Sequence, residues 1–378
     1  MREEWKMDFI QSGPKALEFL ATSPVDVLVT DMMMPGMDGA QLLTEVMHRY
    51  PNTVRLVLSG HADQEAVLPL VGPAHQYLSK PCNPEELRSA IARALAMRDL
   101  LASEQLKQLA SRLGCLPSLP SSYEQLTAEL RRPEPSVERI AGIVSRDIGM
   151  TTKILQLVNS SFFGLPQPAS NVPEAVMYLG LATIRALVLS TQVFSQFNQR
   201  TMKAFSIDGI AQHCWMSGVF ARRIAETEQP DAKISDQCFL GGLLQDLGYL
   251  ILAAGLPEPY TQVMQAARDS NRPVWEVEQA ELNASHAEVG AYLLGLWGLP
   301  TPVVEAVALH HRPATATFHG FSSVIAVHVA DAFAQGLAPT LPEQAVIEID
   351  MVCLASLGLD GRVETWKARC LQDQAAGF

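Results

Sequence analysis

A chain of 378 residues with 48% hydrophobic and 18% charged side chains is neither disordered nor of low complexity, and its length implies two or three domains at about 100 to 200 residues each. Lys and Arg total 28 against 40 Asp and Glu, which leaves a formal charge of −12. With a pI near 5.2, this charge argues against an electrostatic footprint for nucleic acid or anionic lipid.

From Lys6 to about Arg98, short apolar runs alternate with helical ones. KMDFI, VDVLVTD, TVRLVLS and HQYLSKP read as strands, and PKALEFLA, AQLLTEVMHRY and NPEELRSAIARALAMR as helices. Strands separated by helices of this length imply crossover units and a mostly parallel sheet, so this part is α/β. The helix beginning near Pro84, with Asn83 as its N-cap, is expected to continue through LLASEQLKQLASRL and to join a second half that is all-α. That half carries helical stripes such as Val137, Ile140, Ala141 and Val144, then Ile154, Leu155 and Val158. The least polar window, Phe239 to Pro257, has Gln245 and Asp246 at its middle, so it reads as a buried helix rather than a membrane span. Helical signals resume in PEQAVIEIDMVCLASLGL and VETWKARCLQD. The expected divisions are residues 1–100, a linker helix at 101–114, a helical domain at 115–335 and a C-terminal helical extension at 336–378.

The six cysteines (Cys82, Cys115, Cys214, Cys238, Cys353 and Cys370) show no CxxC spacing and read as reduced thiols. The first ten residues are charged where a signal peptide is apolar, so the expected location is the cytoplasm.

Asp31 ends an apolar strand and precedes MMMPGMDG, Ser59 ends the next strand, and Lys80 ends the last. In open α/β sheets, ligands bind at this carboxyl edge. A carboxylate, a hydroxyl and an ammonium there suit phosphoryl transfer: the carboxylate attacks, and the other two bind the phosphoryl oxygens. Over residues 1 to about 97 the chain resembles the receiver domain of two-component response regulators, a flavodoxin-like fold. The resemblance implies that Asp31 accepts the phosphoryl group from a sensor histidine kinase and that Ser59 moves toward it. It also makes Tyr77 the switching aromatic, Lys80 the phosphate-binding cation before a cis Pro81, and Met33 a carbonyl donor to Mg²⁺. The family's first strand ends in an acidic pair that holds Mg²⁺, but only 30 residues precede Asp31 here, and Glu3 and Glu4 sit before the second strand. One carboxylate and one carbonyl are a poor site for a hard cation. Either the receiver is a degenerate docking module or the natural chain starts further upstream. With strand one absent, the strand near Met7 to Gln11 is expected to pair directly with Asp26 to Thr30, or to be completed by a second molecule in a homodimer through the receiver half.

The helical half carries His213, Gln245-Asp246, His286, His310-His311 and Asp331. Imidazoles and carboxylates from several helices are how all-α folds build metal sites. Their order resembles the HD superfamily of metal-dependent phosphohydrolases, with Gln245 replacing the histidine of the central dyad. RDIGMTTKILQLVNSSFFGLP, EAVMYLGLATIRALVLS and HAEVGAYLLGLWGLPTPVVEAVALHHRP resemble more closely the HDOD branch, the HD-related output domain, over about 115 to 315. This resemblance implies a non-catalytic signalling output that contacts a downstream protein, with a degenerate site at His213, Asp246, His286, His310, His311 and Asp331. A divalent metal is expected there below full occupancy, because an amide oxygen is a weaker ligand than imidazole. The alternative is a metal-dependent phosphohydrolase acting on a nucleotide such as cyclic di-GMP. His48, His61, His75, His319 and His328 lack partner spacing and read as solvated or locally hydrogen-bonded, and Met32 to Met34 as packing.

Overall fold

A computed structural model describes residues 5–60, 73–113, 116–159, 169–189, 199–228, 231–317, 320–337 and 347–372. Glu3, Glu4, His61, His319, Cys115 and most of the NSSFFG stretch lie outside them.

The N-terminal part holds α1 (Gly13–Thr22), β1 (Val27–Asp31), α2 (Gly39–Arg49), β2 (Val54–Gly60), β3 (Gln76–Lys80) and α3 (Pro84–Leu100). The strands form one parallel sheet in the order β1-β2-β3. Asp31 pairs in register with Leu58, Ser59 with Ser79, and Gly60 with Lys80, so the three strand-end groups share one edge. The expected strand at KMDFI does not form: residues 5 to 10 have no regular structure, and Phe9 is 88% exposed. A strand exists only through its ladder partners, and among the described residues nothing pairs with β1 on its outer side. The expected direct pairing with β1 is therefore corrected.

The expected single connecting helix is two. Leu101 takes an extended conformation, α3 stops at Leu100, and Ser103 caps a separate α4 (Glu104–Arg112) by accepting from the Leu106 N–H. The helical part follows as α5 (Pro120–Leu130), α6 (Val137–Ser145), α7 (Ile148–Val158), α8 (Val172–Leu189, interrupted at Gly180) and α9 (Gln199–Ala204). It continues with α10 (Ile207–Glu228), α11 (Ala232–Leu244), α12 (Leu247–Gly255), α13 (Pro257–Ser270), α14 (Val274–Leu282), α15 (His286–Leu296), α16 (Thr301–Leu309) and α17 (Ser323–Leu337). The apolar window read as one buried helix is likewise two, α11 and α12, separated at Gln245–Asp246.

The two parts share a core. Buried Leu56, Val57, Tyr77, Ala90 and Ala94 of the sheet and α3 belong to the same cluster as Ile154, Leu155, Leu293, Leu296 and Trp297 of the helical bundle. Polar groups cross the same junction. Gln76 Nε2 donates to the Leu296 carbonyl at 2.9 Å, Gln156 Nε2 to the His75 carbonyl at 3.3 Å, and buried Arg55 to the carbonyls of Pro73 and Ser111. These main-chain acceptors satisfy the Arg55 guanidinium, which would otherwise be costly to bury.

A second cluster joins α10, α11 and α17 to the C-terminal residues. Those residues are helical from α18 (Met351–Ser356) and α19 (Val363–Leu371), while 347–350 are not, which trims the expected helix there. Cys82, Cys214, Cys238, Cys353 and Cys370 are free thiols.

Candidate functional site

At the sheet edge, the Lys80 ammonium pairs with Asp31 Oδ2, and the Met33 N–H donates to Asp31 Oδ1 at 3.2 Å. The peptide bond between Lys80 and Pro81 is cis. Gly39 opens α2 directly beneath this edge. A Cβ there would stand 2.3 Å from the Asp31 carbonyl oxygen, so only glycine lets the helix start so close to the strand end. Ser59 is buried and its hydroxyl has no partner among the described residues. Tyr77, expected to switch, is 1% exposed and faces the helical half, and burial raises its phenol pKa. For Mg²⁺ the set does not fit. Asp31 is engaged by Lys80, and Asp38 is committed to capping α2 through the Gln41 N–H.

The second site forms where α10, the α11–α12 break, α15, the end of α16 and α17 meet. Asp246 has φ −97° and ψ 18°, and this non-helical residue turns both members of the Gln245-Asp246 pair into the bundle. Gly248 lets α12 cross α15 at close range, since a Cβ there would lie 1.9 Å from the His286 carbonyl oxygen. The crossing sets Asp246 Oδ1 3.3 Å from His286 Nε2. His213 Nε2 donates to Asp331 Oδ1 at 2.7 Å, and Gln245 Nε2 donates to the same oxygen at 2.8 Å. Turning the Gln245 amide over would set its oxygen against the Asp331 carboxylate, so the nitrogen faces it. His311 Nε2 lies 3.0 Å from His286 Nε2, and Trp275 stacks on the His311 ring at 5.7 Å.

One carboxylate that sequence reasoning missed organises the site. Glu278, fully buried, accepts from the His286 N–H and from His286 Nδ1, both at 2.7 Å, and from the Tyr260 hydroxyl at 2.5 Å. Its position among the three glutamates of α14 carries no motif that would single it out from Glu276 and Glu281. Burial opposes the charge on His286, but the pull of Glu278 and Asp246 overcomes it and raises the pKa to about 10. Burial likewise opposes a charge on His213, and Asp331 more than offsets it. His310 and His311 are both shifted down, chiefly by burial, and stay neutral. His328 is locally hydrogen-bonded, as expected. Its Nδ1 donates to the His310 carbonyl at 2.7 Å, and its Nε2 accepts from the Asp350 N–H at 2.8 Å, tying the C-terminal residues to the site. His75 accepts from the Arg55 N–H, and His48 is exposed.

The donor set fits a divalent transition metal. The ligand atoms of His286, His310 and His311 all lie within 4.8 Å of one another. His310 Nε2, His311 Nδ1, Asp331 Oδ2 and Gln245 Oε1 are buried without hydrogen-bond partners among the described residues. Imidazole and carboxylate suit Zn, Fe or Mn. Gln245 is the weak member, because its amide N–H takes an oxygen of Asp331 that a cation would otherwise use.

A carboxylate, hydroxyl and ammonium at a parallel-sheet edge, joined through one core to a bundle with HD-type residues, define a receiver coupled to an HD-related helical domain. The HDOD domain model matches residues 116–313 and the response regulator receiver domain model residues 2–92. The chain belongs to the HDOD family and carries a receiver domain, the composition of a response regulator with an HDOD output. An uncharacterized protein of Treponema pallidum is 28% identical over 59% of this chain and 43% of its own length. Over 26% of this chain and 21% of its own length, the hydrogenase transcriptional regulatory protein HoxA of Cupriavidus necator is 35% identical. The chain thus spans less than half the length of these relatives. Among solved structures, the MmoQ response regulator of Methylococcus capsulatus superposes with a TM-score of 0.51 at 23% identity, over 68% of this chain and 98% of that one. That likeness shows a shared fold.

Proposed function

We propose that the receiver controls the HDOD half as a non-catalytic output in the cytoplasm. Its input is phosphorylation of Asp31 by a sensor histidine kinase or docking of a protein at the same edge, and its output is altered contact with a downstream protein. The observation that carries this reading is α15. Its first residue is His286, and its last carbonyl, Leu296, accepts from Gln76 on β3, the strand that ends in Lys80 paired with Asp31. A helix of 11 residues, about 16 Å long, thus links the first residue of β3 to the histidine cluster, and β3 itself runs on from Gln76 to Lys80 at the receiver edge. An input can shift the output only by the difference in its interaction energy with two arrangements of these contacts. The test is hydrogen exchange in α15. Releasing Lys80 with Asp31→Asn is expected to speed exchange across 286–296, and Gln76→Ala to abolish that response. Unchanged exchange in Asp31→Asn would remove the basis for the proposed route.

Phosphate labelling is expected to be weak, because a single carboxylate already neutralised by Lys80 recruits no Mg²⁺ to balance the charge of the incoming group. Strong labelling by acetyl phosphate, lost in Asp31→Asn, would contradict this.

The unpartnered donors at the second site favour a competing reading as a phosphohydrolase. A bound metal would be held by His286, His310, His311 and Asp331 and would polarise a phosphoryl oxygen. The purified protein is expected to carry well under one metal per chain by elemental analysis, and Gln245→His to raise that content. Incubated with cyclic di-GMP and Mn²⁺ or Fe²⁺, the protein is expected to be inert, and measurable turnover would favour the enzyme.

A further inference from the structure

On the face of α10 away from the histidine cluster lies a cavity of about 410 Å³. Trp215, Val219, Arg222 and Glu226 follow one another at i, i+4, i+7 and i+11, a single helical stripe, and all four line it. His213, two residues before Trp215, is turned by about 200° to the opposite face. The cavity is therefore separate from the site described above, although the same helix builds a wall of both.

Its lining combines aromatic rings with guanidinium groups. Trp215 and Phe239 meet edge to face, with ring centroids 5.4 Å apart at 87°, and Arg146 lies 5.7 Å over one face of Trp215. Arg222 lies 4.5 Å over the Phe239 ring and holds Asp236 at 2.7 Å. Asn171 occupies the other oxygen of Asp236 at 2.8 Å, so this carboxylate is fully engaged. Arg222 Nε is buried without a partner among the described residues. Arg223, one of whose amino groups donates to the Cys370 carbonyl at 2.8 Å, and Arg369 add two more guanidinium groups from α10 and α19, against one further carboxylate, Glu226. Arg369 is exposed and donates to Gln372 Oε1 at 3.4 Å, with no carboxylate partner among the described residues. In a chain of net charge −12, this is a locally cationic, aromatic-walled recess.

Guanidinium groups bind phosphate through paired N–H donors, and aromatic walls hold a flat ring. Small-molecule sites of about 300 to 1,000 Å³ are usual, and a cavity near the lower end suits one nucleotide rather than a cyclic dinucleotide. We propose that this cavity is a binding site for a purine mononucleotide, with the base against the half-buried Trp215 and the phosphate on Arg223 and Arg369. A ligand held there would bear on α10, the helix that also carries His213.

The test is titration calorimetry of the full chain with AMP and GMP, with adenosine, inorganic phosphate and cyclic di-GMP for comparison. A purine mononucleotide is expected to bind, and adenosine and phosphate at least tenfold more weakly, because each offers half of the recognition. Arg369→Ala, at an exposed position, is expected to weaken the mononucleotide at least tenfold with an unchanged melting temperature. Trp215→Leu is expected to do the same, and if that variant does not fold, Arg369→Ala decides. Absence of binding at millimolar AMP and GMP would overturn the proposal. So would binding that Arg369→Ala leaves unchanged, or tighter binding of cyclic di-GMP than of either mononucleotide.

Discussion

Replacing Glu278 with alanine is expected to lower stability by about 3–5 kcal/mol, the usual cost of removing one partner from a buried charged pair. The carboxylate is the acceptor for three donors, the Tyr260 hydroxyl and both the main-chain and ring N–H of His286. The alanine variant leaves all of them without an acceptor in a dry site. A fall in Tm of roughly 6 to 20 °C follows for a domain of this size. The sign of the accompanying pH effect can be worked out in protein stripped of metal by a chelator. The His286 pKa is raised to about 10, above an unfolded value of about 6.5. Its contribution is therefore fully present below about pH 6.5 and is lost as pH rises toward 10. Melting followed by circular dichroism between those limits should show wild type losing stability as pH rises, and Glu278→Ala losing much less. A variant that melts within about 2 °C of wild type, with the same pH profile, would show that the Glu278 network does not hold the site together.

Trp366→Ala is expected to cost a similar amount, about 3–5 kcal/mol, through cavity formation in a packed core. Trp366 is fully buried in α19, lies 6.3 Å from Phe321 by ring centroid, and donates through Nε1 to Glu228 at 2.8 Å. Arg362 holds the same Glu228 carboxylate. The substitution opens the second hydrophobic cluster where α10 and α17 meet the C-terminal helices. Trp366→Phe, which keeps most of the volume and loses the N–H, should fall between the two in thermal melts. If the alanine variant melts as wild type does, the C-terminal helices are an appendage and not part of the HDOD core. The coupling of His328 to both the His310 carbonyl and the Asp350 N–H makes a further consequence measurable. Loosening the C-terminal helices in Trp366→Ala should also raise hydrogen exchange around His310.

The continuity of the core has a bearing on signalling. A receiver tethered by a flexible linker transmits only through proximity, whereas here Tyr77, Gln76 and α3 pack directly against the bundle. Two packed arrangements of such a junction differ discretely, because close-packed interiors do not deform continuously.

Much of this was readable from local pattern. Alternation of strand and helix signals identified the parallel sheet, and Asp31, Ser59 and Lys80 at three strand ends indicated one edge, which the register of β1, β2 and β3 assembles. The order of His213, Asp246, His286, His310, His311 and Asp331 pointed to a shared site, and all six meet within one network of short contacts. These features depend on residue type and spacing along the chain, which periodicity reports. What local pattern could not supply depended on partners distant in sequence. KMDFI has strand composition, yet among the described residues no neighbouring strand lies where its ladder would form. The apolar run through Gln245 reads as one helix, yet it breaks at Asp246, where His213, His286 and Asp331 from other helices offer polar partners to the turned-in pair. Glu278 gets its role only from Tyr260 and His286, which enclose it, and Trp366 its place only from Glu228 and Phe321, which cover it. Periodicity records which face of an element is apolar, and long-range packing alone decides what that face meets.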